Sequence, residues 1–300
     1  MQGFLGSIRD GKGFHLCLIA LALGYLAVFS AFPLLYNVVM STQEVDLFSI
    51  ASFDRPFVGL DNYREVLTQP QAATVMWNTI KFLVLCVFFQ LTIGFALALF
   101  FQLDFPGASW LRGLFLAGWI MPALVVGGVW SFILAGDFGV VNYLLMKLGV
   151  TDAKIFWLSD PAYSLYAVII ANIWLGVPFN MLLLSVGLAG IPKDVYEAAE
   201  LDGANRFQSF LTITLPMMRA QLGAVISLGI IFTLQQFDLF AALTQGGPAN
   251  SSNVLQYWSW QLSFQTYQIG YGSVVSVLMI VFVVFVAAIY VRSTRHEQSA

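Results

Sequence analysis

Six long apolar stretches, separated by more polar segments, dominate the chain. A transmembrane helix needs about 20 mostly apolar residues. Helices are expected because lipid offers an open backbone no hydrogen-bond partners, and barrel strands would be only about ten residues long and alternating. The pattern predicts an all-α integral membrane protein with one transmembrane domain, residues 14–292, and two short tails, 1–13 and 293–300. The six predicted helices cover residues 14–40, 78–101, 113–134, 162–190, 220–244 and 273–291.

The basic residues between these stretches favour one orientation, since cytoplasmic loops carry an excess of Lys and Arg. With both termini in the cytoplasm, the basic residues inside outnumber those outside by roughly two to one. The segment of residues 191–216, between helices four and five, then lies in the cytoplasm. The inner basic residues are Arg9, Lys12, Arg112, Lys193, Arg206, Arg219, Arg292 and Arg295, and the outer ones are Arg55, Arg64, Lys147 and Lys154.

Composition supports a membrane protein and excludes several other functions. In this chain 59% of the residues are hydrophobic and 10% are charged. Soluble domains average about 45–50% apolar residues and about 25% charged residues. Without a basic cluster, nucleic-acid binding is not expected. Cys17 and Cys86 lie in separate apolar runs and are expected to be buried small hydrophobes. His15 and His296 lie near opposite ends, so no metal site and no catalytic triad is predicted.

The cytoplasmic segment is too polar to cross a bilayer and is predicted to form a helix, a turn and a second helix. Pro192 and Asp194 suit a helix start, Gly203 permits a sharp turn, and Pro216 marks the boundary with the next membrane helix. An acidic, alanine-rich helix can enter a groove on a partner protein. From these residues alone, an amphipathic helix resting on the lipid surface is an equal alternative.

The same segment carries a resemblance to a known family. The stretch EAAELDGANRFQSFLTITLP, 197–216, resembles the EAA loop of binding-protein-dependent ABC importer permeases, with its Glu-Ala-Ala, Gly203 and terminal Leu-Pro. FVGLDNY at 57–63, Asn78-Thr79 and LTQGGPANSS at 243–252 resemble the carbohydrate-type (maltose-type) branch. The resemblance covers about residues 14–292.

This resemblance implies the type I ABC importer permease fold and a place in the bacterial cytoplasmic (inner) membrane. It implies a second homologous permease subunit, a cytoplasmic ATPase dimer that binds ATP and Mg, and an extracytoplasmic solute-binding protein. The solute would be a sugar, oligosaccharide, polyol or sugar derivative, moved by alternating access. The residues it assigns to ATPase coupling are Glu197, Ala198, Ala199, Glu200, Asp202 and Gly203.

The chain itself shows no means of hydrolysing ATP. It lacks a GxxxxGK[ST] phosphate loop, and its Gly11-Lys12 pair is followed by Gly13. We therefore expect a subunit that is not an enzyme and holds no cofactor of its own.

Polar side chains inside membrane helices are costly and are therefore candidates for a solute pathway. Ser227, Gln235 and Asp238 fall on roughly one stripe of predicted helix five. Amides, a carboxylate and aromatic faces suit a polyhydroxylated solute, although Asn and Gln also bond between packed helices. The candidates are Tyr166, Asn172, Trp174, Asn180, Ser227, Gln235, Gln236 and Asp238. Pro33, Pro122 and Pro178 are candidates for helix kinks.

The main alternative is a secondary-transporter subunit for a small polar solute. That class often shows internal repeats and broken helices at the membrane midplane. No repeat is evident here, and Asp238 alone would make a poor ion relay.

Overall fold

The computed structural model describes residues 12–52, 54–103 and 105–297, and it is built of helices. Within these ranges, the β-type pairing is one isolated bridge between Gln43 and Phe57. The predicted all-α fold is confirmed. Of the predicted tails, residues 1–11 and 298–300 lie outside the described ranges.

Among the helices of the described chain lie three π-helical turns, Ala27–Ala31, Phe210–Thr214 and Gln261–Gln265. In chain order the helices are α1 Lys12–Leu26, α2 Phe32–Ser41, α3 Asp61–Thr68, α4 Ala72–Phe100, α5 Ala108–Ile120, α6 Ala123–Ile133, α7 Val140–Lys147, α8 Ser164–Ala189, α9 Lys193–Leu201, α10 Arg206–Ser209, α11 Leu215–Met217, α12 Arg219–Leu234, α13 Asp238–Leu243, α14 Leu255–Trp260 and α15 Ile269–Glu297.

Four of the predicted spans are helices long and apolar enough to cross a membrane. Two further apolar pairs are bent, α5 with α6 by 99° and Arg206–Met217 with α12 by 70°, so the described chain has four to six spans depending on how each pair is counted. The continuous spans are Gly13–Ser41, Ala72–Phe100, Ser164–Ala189 and Ile269–Ala288.

Two of the predicted helices are wrong as continuous elements. The stretch 113–134 breaks at Met121, which is extended (ψ 136°), because Pro122 gives no N–H and disfavours a helical residue before it. The stretch 220–244 ends its helix at Leu234, and Asp238 begins a new one. Asp238 therefore does not continue the stripe of α12 that was expected to carry it.

Further boundaries differ from prediction, among them those of α4 and α15. Helix α4 begins at Ala72, six residues before the predicted start, and α15 runs from Ile269 to Glu297, into the predicted C-terminal tail. In both cases a helix extends beyond its most apolar part, which is all that a hydropathy pattern detects.

The described chain forms two compact units. The first comprises the residues up to Thr68 together with 259–277. In it, Asn62 Nδ2 donates to the carbonyls of Ser41 (3.0 Å) and Gln43 (2.9 Å), and the hydroxyls of Tyr63 and Ser41 lie 2.7 Å apart. Residues of FVGLDNY thus hold the end of α2 against the start of α3.

The second unit comprises residues 69–258 and the chain from Leu278 onward. Its centre is the contact between α4 and α8, where a Cβ on Gly94 would lie only 2.8 Å from the Cβ of Asn180. Small residues allow such close approach between membrane helices. The buried core beside this contact consists of Phe95, Ala98, Phe101, Met181, Leu184, Leu188, Ile191, Met218 and Val225.

Candidate coupling segment and solute cavity

The segment predicted to lie in the cytoplasm, which we call the coupling segment (residues 192–217), has a defined helix end. Helix α9 ends at Leu201, and Gly203, two residues further on, has a left-handed φ of 83°. The N–H of Gly203 donates to Glu200 O (3.0 Å) and that of Ala204 to Ala199 O (2.9 Å). These bonds form a Schellman motif, which glycine at this position favours.

The part of the coupling segment after Gly203, which we call its second arm, is also held by hydrogen bonds between residues close in sequence. Asn205 caps α10 in a reciprocal capping box with Gln208, with distances of 2.9 and 2.8 Å, which satisfies two otherwise free backbone donors. The hydroxyls of Tyr196 and Thr214 lie 2.9 Å apart and join the two arms. The predicted helix, turn and helix are confirmed.

The outer surface of the coupling segment combines acids with exposed apolar side chains. Leu201 is 89% exposed and Phe207 is 69% exposed. Ala198 is exposed and Ala199 half-buried, and no ion pair within the described residues occupies the nearby carboxylates. An exposed leucine rimmed by charge suits a protein partner. The exposed acids are Glu197, Glu200 and Asp202.

The inner surface of the segment packs against the core of the second unit. Tyr196, Phe210 and Leu215 are partly buried against the core cluster, and the rings of Phe210 and Phe95 lie 5.5 Å apart. Because packed cores transmit displacement rather than absorb it, a shift of the segment would be passed to the membrane helices.

A second feature is a cavity of about 340 Å³ between the helices of the second unit, which we call the polar cavity. Its volume is at the lower end of the range for small-molecule sites. None of the described residues that line it is ionisable. The lining residues are Gln90, Trp119, Asn172, Leu175, Gly176, Phe179, Asn180, Gly229, Phe232, Thr233, Gln235 and Gln236.

Three aromatic rings in the lining form a continuous group. Trp119 stacks on Phe179 with centroids 5.0 Å apart, and Phe179 meets Phe232 edge to face at 5.3 Å. Such rings offer flat apolar surface at small conformational cost.

The amides in the lining are only partly satisfied. Asn180 Nδ2 donates to Gly176 O at 2.9 Å, whereas the buried Nδ2 of Asn172 and Nε2 of Gln236 have no hydrogen-bond partner among the described residues. The Asn172 side chain lies beside the thiol of Cys86, which is at best a weak acceptor. An unpaired buried amide is costly, so two such donors beside one cavity indicate a site that is completed by water or a ligand.

Four of the predicted pathway residues meet at this cavity, and four do not. Asn172, Asn180, Gln235 and Gln236 line it. Trp174 instead lines a separate apolar cavity of about 620 Å³.

The other three predicted residues lie elsewhere in the described chain. Tyr166 is exposed on α8, Ser227 is half-buried on α12, and Asp238 lies at the start of α13, outside the cavity lining. The expected single stripe of Ser227, Gln235 and Asp238 is therefore not formed.

One amide and three aromatic rings are among the lining side chains that were not anticipated from the sequence. Gln90 is an amide in the middle of the apolar helix α4, so the rule that selected Asn172 also applies to it. The sequence does not single out Trp119, Phe179 and Phe232 as cavity residues, because aromatic residues are abundant throughout this chain.

The other short motifs have a structural role in the loop that precedes α14. Asn78 Nδ2 lies within hydrogen-bonding distance of the carbonyls of Asn250, Ser251 and Asn253 (2.9–3.2 Å), and Thr79 Oγ1 accepts the N–H of Leu255 at 2.9 Å. Asn78-Thr79 and LTQGGPANSS are thus two halves of one contact.

Comparison with known proteins gives the family. Residues 90–296 match the family described as "Binding-protein-dependent transport system inner membrane component". The trehalose/maltose transport system permease protein MalF of Thermococcus litoralis is 33% identical over 295 residues, covering 97% of this chain and 96% of that protein. The sulfoquinovosyl glycerol transport system permease protein SmoG of Agrobacterium fabrum is 31% identical over 239 residues, covering 80% and 77%.

Solved structures give the same fold. A chain of a bacterial alginate ABC transporter, solved in complex with an alginate pentasaccharide-bound periplasmic protein, matches with a TM-score of 0.80 at 18% identity, over 98% of this chain and 97% of that one. The predicted type I importer permease fold is confirmed. The chain therefore belongs to the family of inner membrane components of binding-protein-dependent transport systems, and it is a multi-pass permease subunit of an ABC importer.

Proposed function

We propose that this subunit carries a neutral, polyhydroxylated solute, such as a sugar, an oligosaccharide or a polyol, through the polar cavity. We further propose that it works with a second homologous permease subunit, an extracytoplasmic solute-binding protein and a cytoplasmic ATPase dimer, which binds ATP and Mg and docks on the coupling segment.

The observation that carries the solute class is the chemistry of the polar cavity. Its aromatic group offers surface to the C–H faces of a sugar ring, and the unpaired amide donors of Asn172 and Gln236 suit hydroxyl oxygens. A buried site built to hydrogen-bond hydroxyls discriminates strongly against solutes that lack them.

The lining also distinguishes between classes of carbohydrate. The names of the relatives include both neutral disaccharides and sulfoquinovosyl glycerol, which carries a sulfonate, and the alginate importer takes an acidic polysaccharide. An acidic solute in a low-dielectric site needs a positive partner, and the polar cavity has no ionisable residue in its lining. This favours a neutral solute.

The solute proposal is tested by uptake of trehalose, maltose and sorbitol into proteoliposomes that contain the assembled transporter. We expect Asn172→Leu and Gln236→Leu to abolish uptake or raise its KM. Ser227→Ala is the matched control, because Ser227 was a sequence candidate but does not line the cavity. Normal uptake of an accepted solute by both leucine variants would contradict the cavity assignment.

The coupling proposal assigns Glu197, Ala198, Glu200 and Asp202 to the docking surface, Ala199 to its half-buried edge, and Gly203 to the turn. Charge-assisted contacts from the exposed carboxylates would orient the segment in the ATPase. It is supported by the exposed, locally fixed geometry of the segment, including the 89% exposure of Leu201.

This proposal is tested by co-purification from gently solubilised membranes. Glu197→Lys should lose the ATPase and keep the second permease. Glu44→Lys, a charge reversal in the first unit, should keep both. Retention of the ATPase by the Glu197→Lys variant would contradict the docking assignment.

A further inference from the structure

Gln90 lies in the middle of α4, and neither a motif nor the family resemblance assigns it a role. Its side chain is 5% exposed, and its Nε2 donates to the main-chain carbonyl of Asn172 at 2.8 Å. It also lines the polar cavity. The donor of Gln90 is therefore already used by α8, so this side chain acts on the cavity through another residue.

The fit between Gln90 and α8 is tight. A Cβ on Gly176 would lie 2.3 Å from Gln90 Nε2 and 2.4 Å from its Cδ, so the amide lies flat on the glycine. One helical turn further along, Gly94 meets Asn180 in the same way. The two contacts lock α4 against α8 over successive turns.

The backbone hydrogen bonds of α8 are interrupted close to these contacts. Pro178 lies inside the helix and has no N–H, so the carbonyl of Trp174 loses its usual donor. Asn180 Nδ2 donates to Gly176 O, and Gln90 donates to Asn172 O. Side-chain donors thus supplement the backbone hydrogen bonds in the turns before Pro178, the residue type at which helices kink.

The rotation of α8 decides which side chains face each cavity. Asn172, Gly176 and Phe179 line the polar cavity. Residues between them, Trp174 and Pro178, line the separate apolar cavity. A small rotation of α8 about its own axis would replace amide side chains in the polar cavity with apolar ones.

We propose that Gln90 is a positioning residue that fixes the rotation of α8 beside Pro178 and so presents the amide face of α8 to the solute. This inference rests on the solute cavity proposed above. It assigns the specificity of the cavity partly to a side chain whose own donor is turned away from the solute.

The test compares the reactivity of two cysteine reporters on α8, Phe179→Cys and Trp174→Cys, in a Cys17→Ala, Cys86→Ala background. The assembled transporter in proteoliposomes is labelled with a charged methanethiosulfonate reagent. With Gln90 present, the reporter at 179 should react faster than the one at 174. Gln90→Ala should lower this ratio by about twofold to tenfold, the range set by one neutral hydrogen bond. A role in stability alone would leave the ratio unchanged, and that result would overturn the proposal.

Two further variants separate the hydrogen bond from packing. Gln90→Met fills the same space without a donor and should also lower the ratio, so a native ratio in this variant would overturn the hydrogen-bond assignment. Gly176→Ala should displace the Gln90 amide, and the double variant Gln90→Ala, Gly176→Ala should be no worse than the more affected single variant, since both disrupt one contact. Additive effects would show two independent contacts and would also overturn the proposal.

Uptake kinetics link the rotation to the solute. With maltose or trehalose, whichever is accepted, Gln90→Ala should raise the KM by about twofold to tenfold at an unchanged maximal rate. An unchanged KM in Gln90→Ala, with uptake impaired by Asn172→Leu, would overturn the positioning role alone. Normal uptake in Asn172→Leu and Gln236→Leu would overturn the solute cavity itself.

Discussion

At the scale of single residues, Gly203 determines how the coupling segment ends its first helix. A side chain at its φ of 83° costs about 1–2 kcal/mol. Gly203→Ala should therefore speed hydrogen exchange at the Ala204 amide, which donates to Ala199 O, by about 5-fold to 30-fold. Exchange in the detergent-solubilised subunit measures this directly.

Gly113→Ala is the matched control, because Gly113 lies inside α5 with no atom near an added Cβ. It should leave exchange in the coupling segment unchanged. Equal exchange in wild type and Gly203→Ala would show that the Schellman bonds do not depend on glycine.

Asp46 offers a prediction about pH. The Ser49 hydroxyl (2.8 Å), with the N–H groups of Ser49 and Phe48, holds the pKa of the Asp46 carboxyl below its ordinary 3.8. The ionised form therefore stabilises this turn above pH 3.8, and that contribution is lost as the pH falls through the lowered pKa. Ser49→Ala should raise the pKa of Asp46 in a carbon-13 titration, whereas Ser52→Ala, in the same loop, should not. A pKa unaffected by Ser49→Ala would contradict the role of the hydroxyl.

The residues of the polar cavity show what could be predicted one position at a time. Asn172, Asn180, Gln235 and Gln236 were predicted because a polar side chain inside a membrane helix is costly and is therefore a candidate for a functional role. Gln90 obeyed the same rule and was overlooked. The aromatic group could not be predicted, since its members come from three helices whose proximity is set by packing and not by any local pattern.

At the scale of elements, Asn78 joins α4 to the loop that precedes α14. Asn78→Ala would remove the donor shared by three loop carbonyls, and leaving buried polar groups unpaired costs about 1–3 kcal/mol. We expect a lower unfolding free energy and faster proteolysis within residues 245–254. Thr92→Ala is the control, because this exposed hydroxyl bonds only its own helix. Unchanged stability in Asn78→Ala would show that the loop is held by other contacts.

The six apolar stretches were predictable at this scale, but the continuity of two of them was not. Hydropathy reports that a segment is apolar and says nothing about its direction. Pro122 gave a usable warning of the 99° bend between α5 and α6. The end of α12 at Leu234 could not be predicted in this way, because residues 235–237 contain neither Gly nor Pro.

At the scale of the whole molecule, stability should be unevenly distributed along the chain. Residues 14–35 of the first span are all exposed, whereas the core between α4 and α8 is closely packed. Leu184→Ala, at a fully buried site, should cost about 2–5 kcal/mol of unfolding free energy. Leu21→Ala, at 73% exposure, should cost less than about 0.5 kcal/mol. Chemical unfolding of the solubilised subunit compares the two, and similar costs would contradict the exposure of the first span.

The choice between function classes also belongs to the whole chain. Broken helices are a feature of secondary transporters, and two of the expected spans are bent here. Family membership nevertheless gives an ABC importer permease, so bent helices alone do not separate the two classes.

The exposure of Leu201 and Phe207 has a consequence for the life of the protein in the cell. If the coupling segment docks on a cytoplasmic ATPase as proposed, a subunit synthesised before that partner would present these side chains to the cytoplasm, where exposed apolar surface attracts chaperones and proteases. Its half-life should then depend on the supply of that partner, so that unmatched copies are removed and subunit ratios are balanced by degradation. A pulse-chase comparison with and without the ATPase, repeated with Leu201→Ser, would measure this quality control.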